Sequence, residues 1–96
     1  MWIIKDGIMI DWDDVRTIRC SKSDSKYEKI VEFYYKNNSS SHFKIGFKKI
    51  TGVDFIKYMG VILRTPEKLP IVLEIDDELE DLIIGKFKTI EEFNNK

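Results

Sequence analysis

Between residues 43 and 63 the spacing of apolar side chains changes from two to about 3.6. Phe43, Ile45 and Phe47 alternate with Lys44, Gly46 and Lys48, the pattern of an antiparallel strand with one buried face. From Thr51 onward Phe55, Ile56, Met59, Ile62 and Leu63 fall on one helical stripe, and Lys57 faces away. Strand character ends where helical character begins, which places the chain in the α+β class.

The residues before this switch read as further strands. Trp2-Ile3-Ile4 and Ile8-Met9-Ile10 flank Lys5-Asp6-Gly7, and Asp-Gly is the strongest short hairpin signal. Ile8, Ile10 and Trp12 share a face, and Asp13-Asp14 makes a corner through Asp bonding to its own backbone. Val15 to Cys20 is a third strand, with Ile18 and Cys20 on one face and Arg19 on the other. Ser21 to Lys26 is a polar turn, Tyr27 to Lys36 a fourth strand, and Asn37 to Ser41 a loop. The alternation predicts one strongly bent antiparallel sheet of about five strands over residues 1–49, with a helix over 52–64 packed on its apolar face.

Thr51 and Asp54 form a capping box at the helix start, and Thr65-Pro66 ends the helix. Residues 69–96 complete or extend this single domain of 96 residues. Pro70 opens a strand at Ile71–Ile75, and Asp77 caps a short helix carrying Leu79, Leu82 and Ile83 with Gly85 as its stop. Thr89 and Glu92 suggest a second capping box for a last turn bearing Ile90 and Phe93. Gly46, on the outer face of the fifth strand, reads as a close backbone approach or equally as a bulge.

Composition removes several functions. With one Cys and one His the chain makes neither an internal disulfide nor a structural zinc site. A lone Cys fits a reducing, cytoplasmic setting. No apolar stretch is long enough to cross a membrane, and Met1-Trp2-Ile3-Ile4 is too short for a signal-peptide core. The absence of Ala and Gln, with an excess of Ile over Leu and much Lys and Asn, suggests a low-GC prokaryote, phage or mobile element.

Ile8 through Ile18 carries a strand, Trp12, an acidic corner and an aliphatic residue before the next strand. Over residues 1–63 this order resembles bacterial pleckstrin-homology-like domains. The resemblance implies that Trp12 plugs the end of a bent sheet, and that the role is binding or adaptor work rather than catalysis. Such domains usually have about seven strands before the helix where five are counted here, and residues 69–96 have no counterpart. The first hairpin link, Lys5-Asp6-Gly7, is too short and carries too few cations for phosphoinositide recognition.

No nucleotide-binding glycine loop or hydrolase elbow occurs. Cys20 and His42 fall on different strands and read as a buried thiol and a loop-edge imidazole. The pattern implies no catalytic residues, cofactor or metal.

Two charged segments are the candidate partner-binding residues. Lys36, Lys44, Lys48 and Lys49 lie on or beside the fourth and fifth strands, where cations interleaved with aromatics would suit single-stranded nucleic acid. A solvated strand face that also discourages aggregation is the competing reading. Asp77, Glu80 and Asp81 belong to an acidic run from Glu74 to Asp81 that lacks the spacing of a calcium loop and suits a solvated helix start. A docking surface for a basic partner is the third reading of this run.

Residues 1–50 carry a net charge of +3 and residues 51–96 a net of -4. That division suits self-association or an inhibitor of a basic partner. The expected function is a small non-enzymatic protein-binding module whose partner is another protein or a second copy, and not a membrane. The alternative is single-stranded nucleic-acid binding through the lysine-bearing sheet.

Overall fold

The computed structural model describes residues 1–20, 29–37 and 42–94, with the backbone alone at His42 and over 88–94. The turn expected at Ser21–Lys26, most of the Asn/Ser loop, the His42 side chain and the capping side chains Thr89 and Glu92 lie outside the described residues.

The chain is α+β, as the change of period predicts, but its strands form two sheets of three. Strands β1 (Trp2–Lys5) and β2 (Ile8–Asp11) form the predicted hairpin. Its link has Asp6 at φ 50° and Gly7 at φ 82°, the left-handed pair that a two-residue turn between twisted strands requires. A short 3₁₀ turn at Trp12–Asp14 makes the corner. The capping carboxylate is that of Asp11, whose Oδ1 accepts the Asp13 N–H at 3.0 Å.

Strands β3 (Val15–Cys20), β4 (Ile30–Tyr35) and β5 (His42–Gly46) form an antiparallel meander in the order β3-β4-β5. Its register shifts between Val15 and Thr17, a bulge that keeps Val15 and Ile18 both toward the core.

The third strand of the first sheet comes from the C-terminal segment. Strand β6 (Val72–Glu74) pairs in parallel with β1, Trp2 opposite Val72 and Ile4 opposite Glu74. The sheet order is β2-β1-β6, so this segment is an integral edge and not an extension of a finished sheet.

Helix α1 (Gly52–Ile62) has the predicted capping box, with Thr51 and Asp54 exchanging side chain–backbone bonds of 3.1 and 3.2 Å. It packs on β3 and β4 through Phe55, which meets Phe33 edge-on at 6.2 Å and Phe47 at 5.1 Å. The approach is close enough to require Gly52, since a Cβ there would lie 2.7 Å from both the Cys20 Cβ and the Ile30 carbonyl oxygen. Gly46, by contrast, faces open space and marks neither a close approach nor a register shift.

Helix α2 (Asp77–Asn94) is continuous, where two short helices separated at Gly85 were expected. Asp76 rather than Asp77 provides the N-terminal cap, its Oδ1 accepting the Leu79 N–H at 2.9 Å. The buried stripe explains the continuity. Leu79, Glu80, Ile83 and Phe87 recur at helical spacing across Gly85, so packing overrides the weak helix propensity of one glycine. Leu82 lies off that stripe and is exposed.

One core joins the two sheets and both helices, and includes Ile3, Ile10, Phe33, Ile45, Phe55, Met59, Leu73 and Ile83. Ile45 and Phe47 point into it as the alternation requires, but Phe43 is 44% exposed. Phe43 sits where β5 runs past the core, packed edge-on to Tyr35 at 5.8 Å.

Candidate functional site

Two of the basic candidates, Lys48 and Lys49, meet the acidic candidates where the chain passes α2. The chain crosses from β5 to α1 through Lys48, Lys49 and Ile50, and α2 begins beside that crossing. Glu80 is fully buried there. Its Oε1 accepts the backbone N–H groups of Lys48 at 2.9 Å, Lys49 at 2.8 Å and Ile50 at 3.3 Å. The second oxygen, Oε2, is buried without a hydrogen-bond partner among the described residues. Burying a carboxylate is costly, and three converging amides offset that cost.

Glu80 is therefore a structural pin between the loop and α2, and the expectation that it is a solvated partner-binding acid is corrected. The run of acids hid this position in the sequence. Its place on the stripe with Leu79, Ile83 and Phe87 was the available signal.

Beside it, Lys49 Nζ donates to Asp81 Oδ1 at 2.9 Å, and this bond raises the lysine pKa. Lys48 Nζ lies 3.9 Å from Asp77, with both side chains largely exposed. Lys29 reaches the same crossing, its Nζ donating to the Lys48 carbonyl at 3.2 Å. Exposed ion pairs add little stability, but they balance local charge. Lys48, Lys49, Asp77 and Asp81 thus face one another across the loop–helix contact rather than forming two separate charged surfaces.

Lys44 and Lys36 lie elsewhere. The outer face of the second sheet carries the cross-strand row Arg19–Glu32–Lys44, in which a carboxylate separates two cations. Tyr34 is the aromatic of that face. Its hydroxyl donates to Glu32, which raises the phenol pKa, and the Arg19 guanidinium lies 5.9 Å from its ring centre. Lys36 follows the end of β4, where its N–H donates to the Asp14 carbonyl at 2.9 Å. The structure does not gather these lysines into one cationic track.

The outer face of the first sheet has a different character. Ile3 and Leu73 point inward, so Trp2, Ile4, Met9, Asp11, Val72 and Glu74 point outward, and the first three with Val72 are apolar neighbours by register. Trp2 is 40% exposed, Met9 56% and Val72 44%.

At the hairpin end this face opens into a groove of about 560 Å³. Ile4 and Glu74 belong to both the face and the groove, and Asp6, Asp76, Asp77 and Glu78 line it with Lys48, so its carboxylates outnumber its cations. Lys5 also lines it, its side chain buried and its Nζ 3.6 Å from Asp6. Sequence reading treated these residues as hairpin and helix-start chemistry. It missed the face because the partner strand of β1 is seventy residues away.

Among the described residues no cluster of three or more His, Cys, Asp or Glu side chains is arranged to hold a metal ion, and no helix is long and apolar enough to cross a membrane. Comparison of the chain with family models, curated proteins and solved structures found no match.

Proposed function

We propose that the chain is a cytoplasmic, non-enzymatic protein-binding module that docks its partner on the outer face of the first sheet. The observation that carries this reading is the exposure of Trp2, Met9 and Val72 around the half-buried Ile4, bordered by Asp11 and Glu74, on a small sheet whose other face packs into the core. Scattered apolar residues are normal on a surface, whereas a cluster on one face with a polar border is the anatomy of an interface. The likeness of residues 1–63 to bacterial pleckstrin-homology-like domains points the same way, since those are binding modules.

Single-stranded nucleic acid fits this surface less well. The acids Glu74, Asp76, Asp77 and Glu78 border the apolar face and would repel phosphate. On the second sheet, Glu32 separates Arg19 from Lys44 and its neighbour Tyr34 bonds to it.

The test maps capture onto the two faces. Trp2→Ser combined with Val72→Ser abolishes capture of a protein partner from the host with the circular dichroism spectrum unchanged, and Lys36→Glu with Lys44→Glu leaves capture intact. The opposite pattern, together with salt-sensitive retention of single-stranded oligonucleotides, moves the function to the second sheet and refutes this reading.

A further inference from the structure

We infer that the first sheet accepts a fourth strand at its β6 edge, contributed by an extended partner segment carrying an apolar residue and, two positions away, a Lys or Arg. This rests on the proposed protein-binding role and specifies its partner.

The edge follows from the ladder. Trp2 N–H donates to the Ile71 carbonyl, and Ile75 N–H donates to the Ile4 carbonyl, each at 2.8 Å. In a parallel ladder these bonds assign the amides and carbonyls of Ile71, Leu73 and Ile75 to the β1 side. The N–H and C=O groups of Val72 and Glu74 therefore point away from β1. Among the described residues no hydrogen bond to the backbone of Val72 or Glu74 is found on that side, and both residues are exposed. Ile71, just before it, is 83% exposed, an apolar side chain beside an unpaired backbone. A protein that adds a strand to such an edge gains main-chain bonds, and alternate side chains set its specificity.

Charge selects the occupant. On the outer face a residue opposite Val72 continues the row from Trp2, and a residue opposite Glu74 stands at the mouth of a groove whose five carboxylates outnumber its two lysines, Lys5 and Lys48. Residues two apart on a strand share a face, so the matching segment reads apolar–x–basic in one direction. A second copy of this chain offers an equally acidic rim, which disfavours it as the occupant.

The experiment uses the full chain with end-blocked pentapeptides, threonine-valine-threonine-lysine-threonine and its reversed sequence. The controls are the same peptides with glutamate for lysine, and a version N-methylated at alternate amides. The readout is amide chemical shift and hydrogen exchange at Val72 and Glu74. One lysine peptide shifts and protects both amides, while the glutamate and N-methylated peptides do not.

Val72→Pro removes an outward N–H without touching the β1 ladder, and lowers peptide affinity about tenfold, the loss expected for one or two edge hydrogen bonds. Glu74→Lys removes the preference for lysine over glutamate while the fold, read by circular dichroism, persists.

Equal binding of all peptides, or no shift at Val72 and Glu74, overturns the inference. So does a concentration-dependent dimer in sedimentation that Val72→Pro dissolves, since the occupant is then a second copy. If partner capture is lost in the Trp2→Ser, Val72→Ser protein but survives Val72→Pro, the docking face stands and only the added strand is refuted.

Discussion

The two sheets share one core and differ in almost everything else. The second is a local meander of neighbouring strands whose outer face balances Arg19 and Lys44 around Glu32. The first joins a local hairpin to a strand seventy residues away, and its outer face is apolar with an acidic border. One sheet presents water with charges of both signs side by side. The other presents surface that water solvates poorly. The contrast teaches that the candidate for binding is not the segment richest in charge, because Lys48 and Lys49 face Asp77 and Asp81 rather than forming a separate cationic surface.

The contrast can be tested by substitutions of decreasing effect. Phe55→Ala removes the ring that packs against both Phe33 and Phe47 and costs roughly 3–5 kcal/mol, read from the urea midpoint. Its effect should be felt equally by amides of both sheets in hydrogen exchange. Loss confined to the second sheet would show that the shared core does not couple them.

Glu80→Ala strips the acceptor from three amides and costs roughly 2–4 kcal/mol, and Glu80→Gln, which keeps an acceptor, costs about half as much. An equal loss in both variants would assign the effect to packing rather than to the pin.

Gly52→Ala forces a Cβ against the Cys20 Cβ and the Ile30 carbonyl and costs roughly 1–3 kcal/mol. Gly60→Ala, in open space on the same helix, stabilises by roughly 0.5–1 kcal/mol. If the two alanines act alike in thermal melts, the close approach of α1 to the second sheet is wrong.

The smallest effect is pH dependence at the alkaline end. Tyr34, through its bond to Glu32, and Tyr35 and Tyr58, through burial, all hold phenol pKa values above the ordinary 10.0. The folded state then binds these protons more tightly than the unfolded state does. The resulting stability is fully present below pH 10 and disappears as pH rises through the elevated folded values. Ultraviolet titration of tyrosinate should show a late fraction that moves to the ordinary value in urea, and that shrinks in Tyr58→Phe.

Local features were legible in the sequence and distant ones were not. The Asp6-Gly7 turn, the span of β3, the alternation of Ile45 and Phe47 and the Thr51–Asp54 box depend on residues within a few positions of one another. The partner of β6 does not. Periodicity marks Ile71–Ile75 as a strand but carries no information about which edge receives it, or in which direction.

Gly85 and Phe43 failed for the opposite reason, because tertiary position overrode a sound local rule. A helix continues through glycine when its buried stripe continues, and a strand stops being half-buried where it runs past the core. Of the candidate binding residues, Lys36 and Lys44 sit on the exposed surface as read. Glu80 was misplaced because an acid in an acidic run gives no sign of the three amides that await it.

The parallel pairing of Trp2 with Val72 also sets an order of events during synthesis. The β1–β2 hairpin leaves the ribosome early, yet its second edge has nothing to join until the chain has grown past Ile75. The β3-β4-β5 meander can close before that, since its partners emerge in succession. The first sheet is thus completed after the second, because its edge strand β6 is made about seventy residues after β1.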